Sequence, residues 1–175
     1  MSGLVLAIDA TWDGRYVDFD AEGVQLLLED AGGSLKISVD APYFGDPPPP
    51  GPPGPTDGLW NHEVVELFIA GAGPEYTEIE LGPHGHHLVL RLRGVRDVAE
   101  SRLPIAYAAK VRGGRWEGEA VVPHALLPPG PHRVNAYAIR GTTDRRYLAM
   151  AEVPGEKPDF HQPDRFAVLA LPGLS

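Results

Sequence analysis

The sequence predicts an all-β protein, an antiparallel β-sandwich. Three observations carry that expectation. The apolar residues alternate with polar ones at period two, in runs too short for helices. The runs are punctuated every few residues by turn formers. Gly and Pro together make up 40 of 175 residues, which excludes a helical bundle or coiled coil.

The strands follow in order. Val24-Gln-Leu-Leu-Leu-Glu-Asp30 is a strand, Ala31-Gly-Gly-Ser34 a turn, and Leu35, Ile37, Val39 and Ala41 mark a second strand with one wet face. Those two should pair as a hairpin. Residues 46–57 then hold seven of the nineteen prolines. A segment of that composition favours polyproline II and is not expected to join a sheet ladder. It reads as a stiff surface loop, or as a recruitment site for a proline-reading partner. Beyond it, Val64–Ala70, Tyr76–Leu81 and His87–Arg93 are strands separated by Gly71–Glu75 and Gly82–Gly85. Further strands are expected at 105–111, 116–122, 133–139, 146–153 and 166–171, with one helical turn at 123–127. The length and the absence of a convincing linker place all of 1–175 in one sandwich domain.

Composition narrows function. Charged residues are 22% and hydrophobic ones 43%, so the chain is expected to fold. The net charge of −9 disfavours a nucleic-acid or anionic-membrane partner. With no cysteine, thiol chemistry and zinc–thiolate sites are excluded. No apolar run reaches 18 residues, and the short piece Leu4–Ile8 ends at Asp9 without a basic flank or cleavage site. The expectation is therefore a protein without membrane span or secretory signal, located in the cytoplasm. Walker-type loops and the Gly-x-Ser-x-Gly elbow are absent.

The chemistry concentrates in the middle strands. If Leu67, Ile79 and Leu90 face the core, alternation puts Glu66, Phe68, Tyr76, Glu78, Glu80, His87, Val89, Arg91 and Arg93 on the opposite face. Glu66 then falls near Glu80, and Glu80 near His87. Like charges directly opposite across strands are destabilising, so three carboxylates in one patch need a reason. Arg91 and Arg93, a bound cation, or the hydroxyls of a ligand would each supply one, as would a merely solvated acidic face. His84, His86 and His87 form a histidine cluster, a weak candidate for a divalent metal or for turn chemistry. Trp60 follows the polar loop and precedes Glu66. An exposed Trp beside carboxylates suits a sugar, since its ring meets the C–H face of a pyranose while the carboxylates accept hydroxyl hydrogen bonds. Alternatively Trp60 caps the sandwich core. Trp116, alternating with Gly118 and Ala120, reads as core.

Several segments resemble a known family. Thr11-Trp-Asp-Gly, Ala41-Pro-Tyr-Phe-Gly-Asp-Pro-Pro, Leu59-Trp-Asn-His-Glu-Val-Val-Glu-Leu-Phe, Glu78-Ile-Glu-Leu-Gly-Pro-His-Gly-His-His, Trp116-Glu-Gly and Lys157-Pro-Asp-Phe-His look like uncharacterised protein family 0462, across nearly the whole chain. A more distant resemblance is to family-9 carbohydrate-binding modules and DOMON-like domains, which implies a jelly-roll sandwich. Those modules grip sugar termini between two tryptophans, with a Glu on the hydroxyls. Trp60 and Glu66 match the first Trp and the Glu, Phe160-His161 falls near the second Trp, and Glu78 and Glu80 fall on the module's ligand-bearing strand. Some DOMON-like domains bind haem through Met and His, of which Met150 and His161 are the thin counterpart.

The expected function is non-catalytic binding of a small carbohydrate or polyol over the central sheet. Its expected ligand-binding residues are Trp60, Glu66, Glu78, Glu80, His87, Arg91, Arg140 and His161, with no cofactor required. The alternative is a metal-dependent hydrolase, isomerase or lyase using Glu66, Glu80, His161 and His87. A third reading is an adaptor working through the proline loop.

Overall fold

A computed structural model describes residues 2–174. In chain order the strands are β1 (Leu4–Ile8), β2 (Ala10–Thr11), β3 (Val24–Asp30), β4 (Ser34–Pro42), β5 (Gly54–Pro55), β6 (Val64–Ala70) and β7 (Tyr76–Leu81). They continue as β8 (His86–Gly94), β9 (Asp97–Glu100), β10 (Ala106–Arg112), β11 (Arg115–Pro123), β12 (Arg133–Arg140), β13 (Arg146–Ala149) and β14 (Ala167–Val168). One sheet runs β1-β3-β4-β11-β10. The other runs β2-β13-β12-β6-β7-β8-β5, with β14 on β12 and β9 on β8. Every pairing is antiparallel except β5 with β8. The expected antiparallel sandwich is thus the fold, and the hairpin of β3 and β4 forms as its turn chemistry requires.

The two sheets enclose the main core. Leu26, Leu28, Ile37 and Val39 of the first sheet meet Leu67, Ile79, Val89 and Ala136 of the second, all essentially excluded from solvent. Trp116 belongs to this core and is 1% exposed. Its place depends on Gly118, where a Cβ would stand 2.7 Å from Tyr107 Oη and 3.1 Å from Trp116 Cζ3. The period-two pattern of β11 therefore needs a glycine beside the largest core side chain.

The larger sheet is buried on both faces, which alternation alone did not reveal. Its outer face carries a second apolar cluster that includes Phe68, Tyr76, Leu88, Leu90, Leu92 and Tyr137. The segment after β13 covers it with Val153, Phe160 and Phe166. Buried Asn135 holds that segment by donating to Ala151 O at 3.0 Å and accepting from Ala151 N at 2.9 Å. Tyr137 donates to Phe160 O at 3.2 Å and its ring stacks on Phe160, centroids 3.8 Å apart.

This second core corrects the reading of β8. Opposite Glu78 stands Leu90, opposite Glu80 stands Leu88, and opposite Leu81 stands His87. The three leucines therefore share the outer face with the glutamates, while His87, Val89 and Arg91 point to the inner face. A shift of one residue exchanges every side chain between faces. Alternation alone assigns the apolar stripe of β8 to the sandwich core, where a strand with one apolar face ordinarily turns it.

The proline loop also differs from expectation. Two of its residues do pair with a strand: Gly54 N donates to Gly85 O and Thr56 N to His87 O, which adds β5 to the edge of β8. Gly and Thr supply the N–H groups that the flanking prolines lack, and an edge position needs donors on one side only. No described helix is long and apolar enough to cross a membrane.

Candidate functional site

A pocket of about 410 Å³ opens on the outer face of the larger sheet, beside the covering segment. Its size suits a small ligand. Trp60, Tyr147 and Phe160 give it aromatic surface, Glu66, Glu78 and His161 its polar groups, and Leu90, Leu92 and Ile139 aliphatic flank. A larger concavity on the outer face of the other sheet, about 570 Å³, is lined by residues such as Leu27, Ser38, Asp40, Lys110 and Glu119 and has no aromatic ring.

The pocket residues come from the sheet register and two loops. Glu66 stands opposite Glu80 on β7 and opposite Tyr137 on β12, and Phe68 stands opposite Glu78. Glu66 thus faces Glu80 directly, as the sequence predicted, and Glu78 lies diagonally across the β6–β7 pair from Glu66. One carboxylate oxygen from each of the three lies within 4.8 Å of the others. Glu80 is 0% exposed, and neither of its oxygens has a hydrogen-bond partner among the described residues. Glu78 Oε2 also lacks one.

Burial dominates the electrostatics. It pushes the Glu66 carboxyl up to about 7, although the adjacent Glu80 carboxyl and the Arg145 charge oppose the rise. Burial, then the charge of Glu66, raises Glu78 well above the carboxylate range. Burial, then the charges of Glu66 and Glu78, does the same to Glu80. Near neutrality the group therefore shares protons.

Trp60 sits on a single 3₁₀ turn, Leu59–Asn61, entered through Gly58 at φ 70°. The left-handed backbone there favours glycine. Leu59 is buried in the outer-face cluster, whereas the Trp60 ring is 46% exposed, so Trp60 is no core cap. Arg145 fixes the turn: its guanidinium donates to Trp60 O at 2.7 Å and to Asn61 O at 3.1 Å.

His161 enters from the covering segment. The backbone N–H of Arg96 donates to Tyr76 Oη at 3.1 Å, and the same oxygen lies 2.6 Å from His161 Nδ1, a contact in which we assign the hydroxyl as donor. The ring proton is then on Nε2, which lies 3.9 Å from Glu78 Oε2. Burial and the nearby Arg96 charge hold His161 down to about 4, so it is neutral at physiological pH. It offers the pocket an N–H donor.

Of the residues the sequence placed together, the structure brings Trp60, Glu66, Glu78 and His161 to one pocket and sets Glu80 beside Glu66, outside its lining. It separates the others. His87 is on the inner side, its ring 5.6 Å from that of Tyr107. Arg91 shares its side, near Glu100 at 3.7 Å. Arg140 stacks over Phe44 and pairs with Glu22, away from the pocket. The histidine cluster is divided by alternation along β8: His84 meets Tyr43 Oη at 3.2 Å and His86 Nε2 meets Gly51 O at 3.1 Å, while His87 points the other way. The Glu/His set that included His87 is thus not assembled. Met150 packs with the inner core and lies apart from His161. Arg96, Arg145 and Tyr147 were missed. Only Tyr147 had a readable signal, because it stands opposite Ile139, two residues from the partner of Glu66.

No family model matches the chain. The UPF0462 protein C4orf33 homolog of Mus musculus is 44% identical over 169 residues, covering 91% of this chain and 87% of its own length. The human UPF0462 protein C4orf33 is 42% identical, covering 88% of this chain and 81% of its own. The Danio rerio homolog is 37% identical, covering 94% and 87%. Among solved structures, a putative carbohydrate-binding protein from Bacteroides uniformis superposes with a TM-score of 0.71 at 15% identity, over 94% of this chain and 84% of its own. A family 9 carbohydrate-binding module from Caldicellulosiruptor kristjanssonii, in complex with cellotriose, gives 0.55 at 12%, over 87% and 76%. At those identities the likeness is one of fold. The chain belongs to the UPF0462 family.

Proposed function

We propose that this member of the UPF0462 family binds a small carbohydrate or polyol, without transforming it, in the outer-face pocket. The observation that carries the reading is the exposed Trp60 at a pocket lined by two buried carboxyls and one neutral imidazole, beside Asn61 and the guanidinium groups of Arg96 and Arg145. A pyranose has an apolar C–H face and a rim of hydroxyls that both donate and accept. Trp60 stacks on the face. Glu66 and Glu78 accept from hydroxyl protons, and His161 Nε2–H donates to a hydroxyl oxygen. Glu66 is the member whose negative charge raises its two neighbours, and an ionised acceptor forms the stronger, charge-assisted bond, so Glu66 contributes most to affinity above its pKa of about 7. The two carbohydrate-binding fold neighbours support this reading. The net charge of −9 disfavours nucleic acid as the ligand.

Thermal unfolding against a panel of mono- and disaccharides tests it. A sugar at 100 times its dissociation constant is expected to add about 2.7 kcal/mol and raise Tm by roughly 5–10 °C. In Glu66→Gln the affinity should fall about 10- to 100-fold, the cost of about 1.5–3 kcal/mol for a charge-assisted bond. A panel that leaves the wild type unmoved contradicts the proposal, as does a shift retained in full by Glu66→Gln.

A further inference from the structure

The carboxyl trio beneath the pocket is more acidic than stacking and hydroxyl recognition require. Glu66 and Glu78 line the pocket, but Glu80 does not reach it. A buried carboxyl with no partner on either oxygen contributes nothing to a sheet that an apolar residue would not contribute better. Among the described residues no cation offsets it. Arg96 is engaged with Asp159 at 2.7 Å, Arg145 with backbone carbonyls, and the nearest imidazole, His161, is neutral.

We propose that Glu66, Glu78 and Glu80 form a calcium site at the base of the pocket. The donor set is all carboxylate oxygen, which selects a hard cation over zinc or copper. Among hard cations, three protein carboxylates suit calcium, which takes several oxygen ligands at about 2.4 Å in flexible geometry, better than magnesium, which gives up its waters reluctantly and is usually held by one or two carboxylates. One oxygen from each glutamate lies within 4.8 Å of the others. Calcium takes six to eight oxygen ligands, so three carboxylates leave coordination positions for water or ligand hydroxyls from the pocket side. The unpartnered oxygens of Glu80 then acquire a partner, and Glu80 has a role that the sugar contacts do not give it.

The inference goes beyond the sugar reading and is tested without any sugar. The full chain, stripped with a chelator and dialysed, is unfolded thermally at pH 7.5 with calcium chloride as the only probe. Terbium is the second probe, because its luminescence is sensitised by nearby aromatic rings such as Tyr137 and Trp60. Calcium at 100 times its dissociation constant is expected to raise Tm by roughly 5–10 °C. Glu80→Gln and Glu78→Gln should each remove most of that shift and of the terbium signal, with near-UV circular dichroism confirming that each variant folds. Glu117→Gln, an exposed site on the other sheet, should keep both. No shift up to about 10 mM calcium, ten times the weakest constants usual for calcium modules, would overturn the site. So would an equal shift in wild type and Glu80→Gln, which would place the ion elsewhere. A failed calcium titration leaves the sugar panel to stand or fall by itself.

Discussion

Replacing Glu80 by Gln is expected to stabilise the calcium-free protein at pH 8 and to change it little at pH 5. The reasoning starts from burial. Glu80 has no exposed surface and no hydrogen-bond partner, and burial together with the charges of Glu66 and Glu78 raises its pKa well above the carboxylate range. A group whose pKa is raised on folding contributes its full stability only below its unfolded value, about 4.5. As pH climbs from there to the folded pKa, the unfolded chain has released the proton and the folded chain still holds it. The wild type then loses up to about 1.4 kcal/mol per pH unit, and Gln, which does not titrate, does not. The same sign applies to Glu66 between about 4.5 and about 7. Denaturant titrations of both proteins at pH 5 and pH 8, in chelator, read the difference directly. A variant less stable than wild type at pH 8 would mean that the Glu80 carboxylate is ionised and well paired. Added calcium should reverse the order, because only the wild type offers all three carboxylates to the ion.

Trp60→Ala is expected to weaken sugar binding about 30-fold while changing stability by less than about 1 kcal/mol. Loss of a stacking aromatic at the centre of a binding pocket costs about 2 kcal/mol or more. The fold should tolerate it, because the ring is 46% exposed and the turn is held by its neighbour Leu59 and by Arg145 on its carbonyls. A Trp capping a core would behave oppositely, costing about 3–5 kcal/mol on truncation. Calorimetric titration beside denaturant unfolding separates the two outcomes. Unchanged affinity would remove Trp60 from the site.

The strands of both sheets were largely legible because turn formers bracket period-two runs, and β6 and β7 were placed in the right register. Glu66 could be set opposite Glu80 from the turn at 71–75 alone. The face of β8 could not be read in this way. Its residues are buried on both sides from His86 to Leu90, so alternation has no wet face to orient it. The stripe Leu88, Leu90, Leu92 joins a second core whose other half, Val153, Phe160 and Phe166, lies some sixty residues or more further on, in a segment without periodicity. That single inversion moved His87 and Arg91 out of the site. Arg96 and Arg145 were illegible for a related reason. Each lies just outside a regular strand, where neither period two nor turn chemistry assigns a direction. His161 was found through resemblance, but its role as a neutral donor depends on the Arg96–Tyr76–His161 chain of hydrogen bonds, whose Tyr76–His161 link spans 85 positions of sequence.

The central claim is that a sugar seats against Trp60 over the carboxyl floor. Its most direct test is the ¹H–¹⁵N spectrum of the three tryptophan indoles during titration with the sugar that gives the largest thermal shift. The indole signal absent from Trp60→Phe identifies Trp60. The account predicts that this signal moves saturably with the sugar while that of Trp116, 1% exposed between the sheets, stays in place. A Trp60 signal that does not move while the sugar binds would put the ligand elsewhere on the molecule and contradict the account.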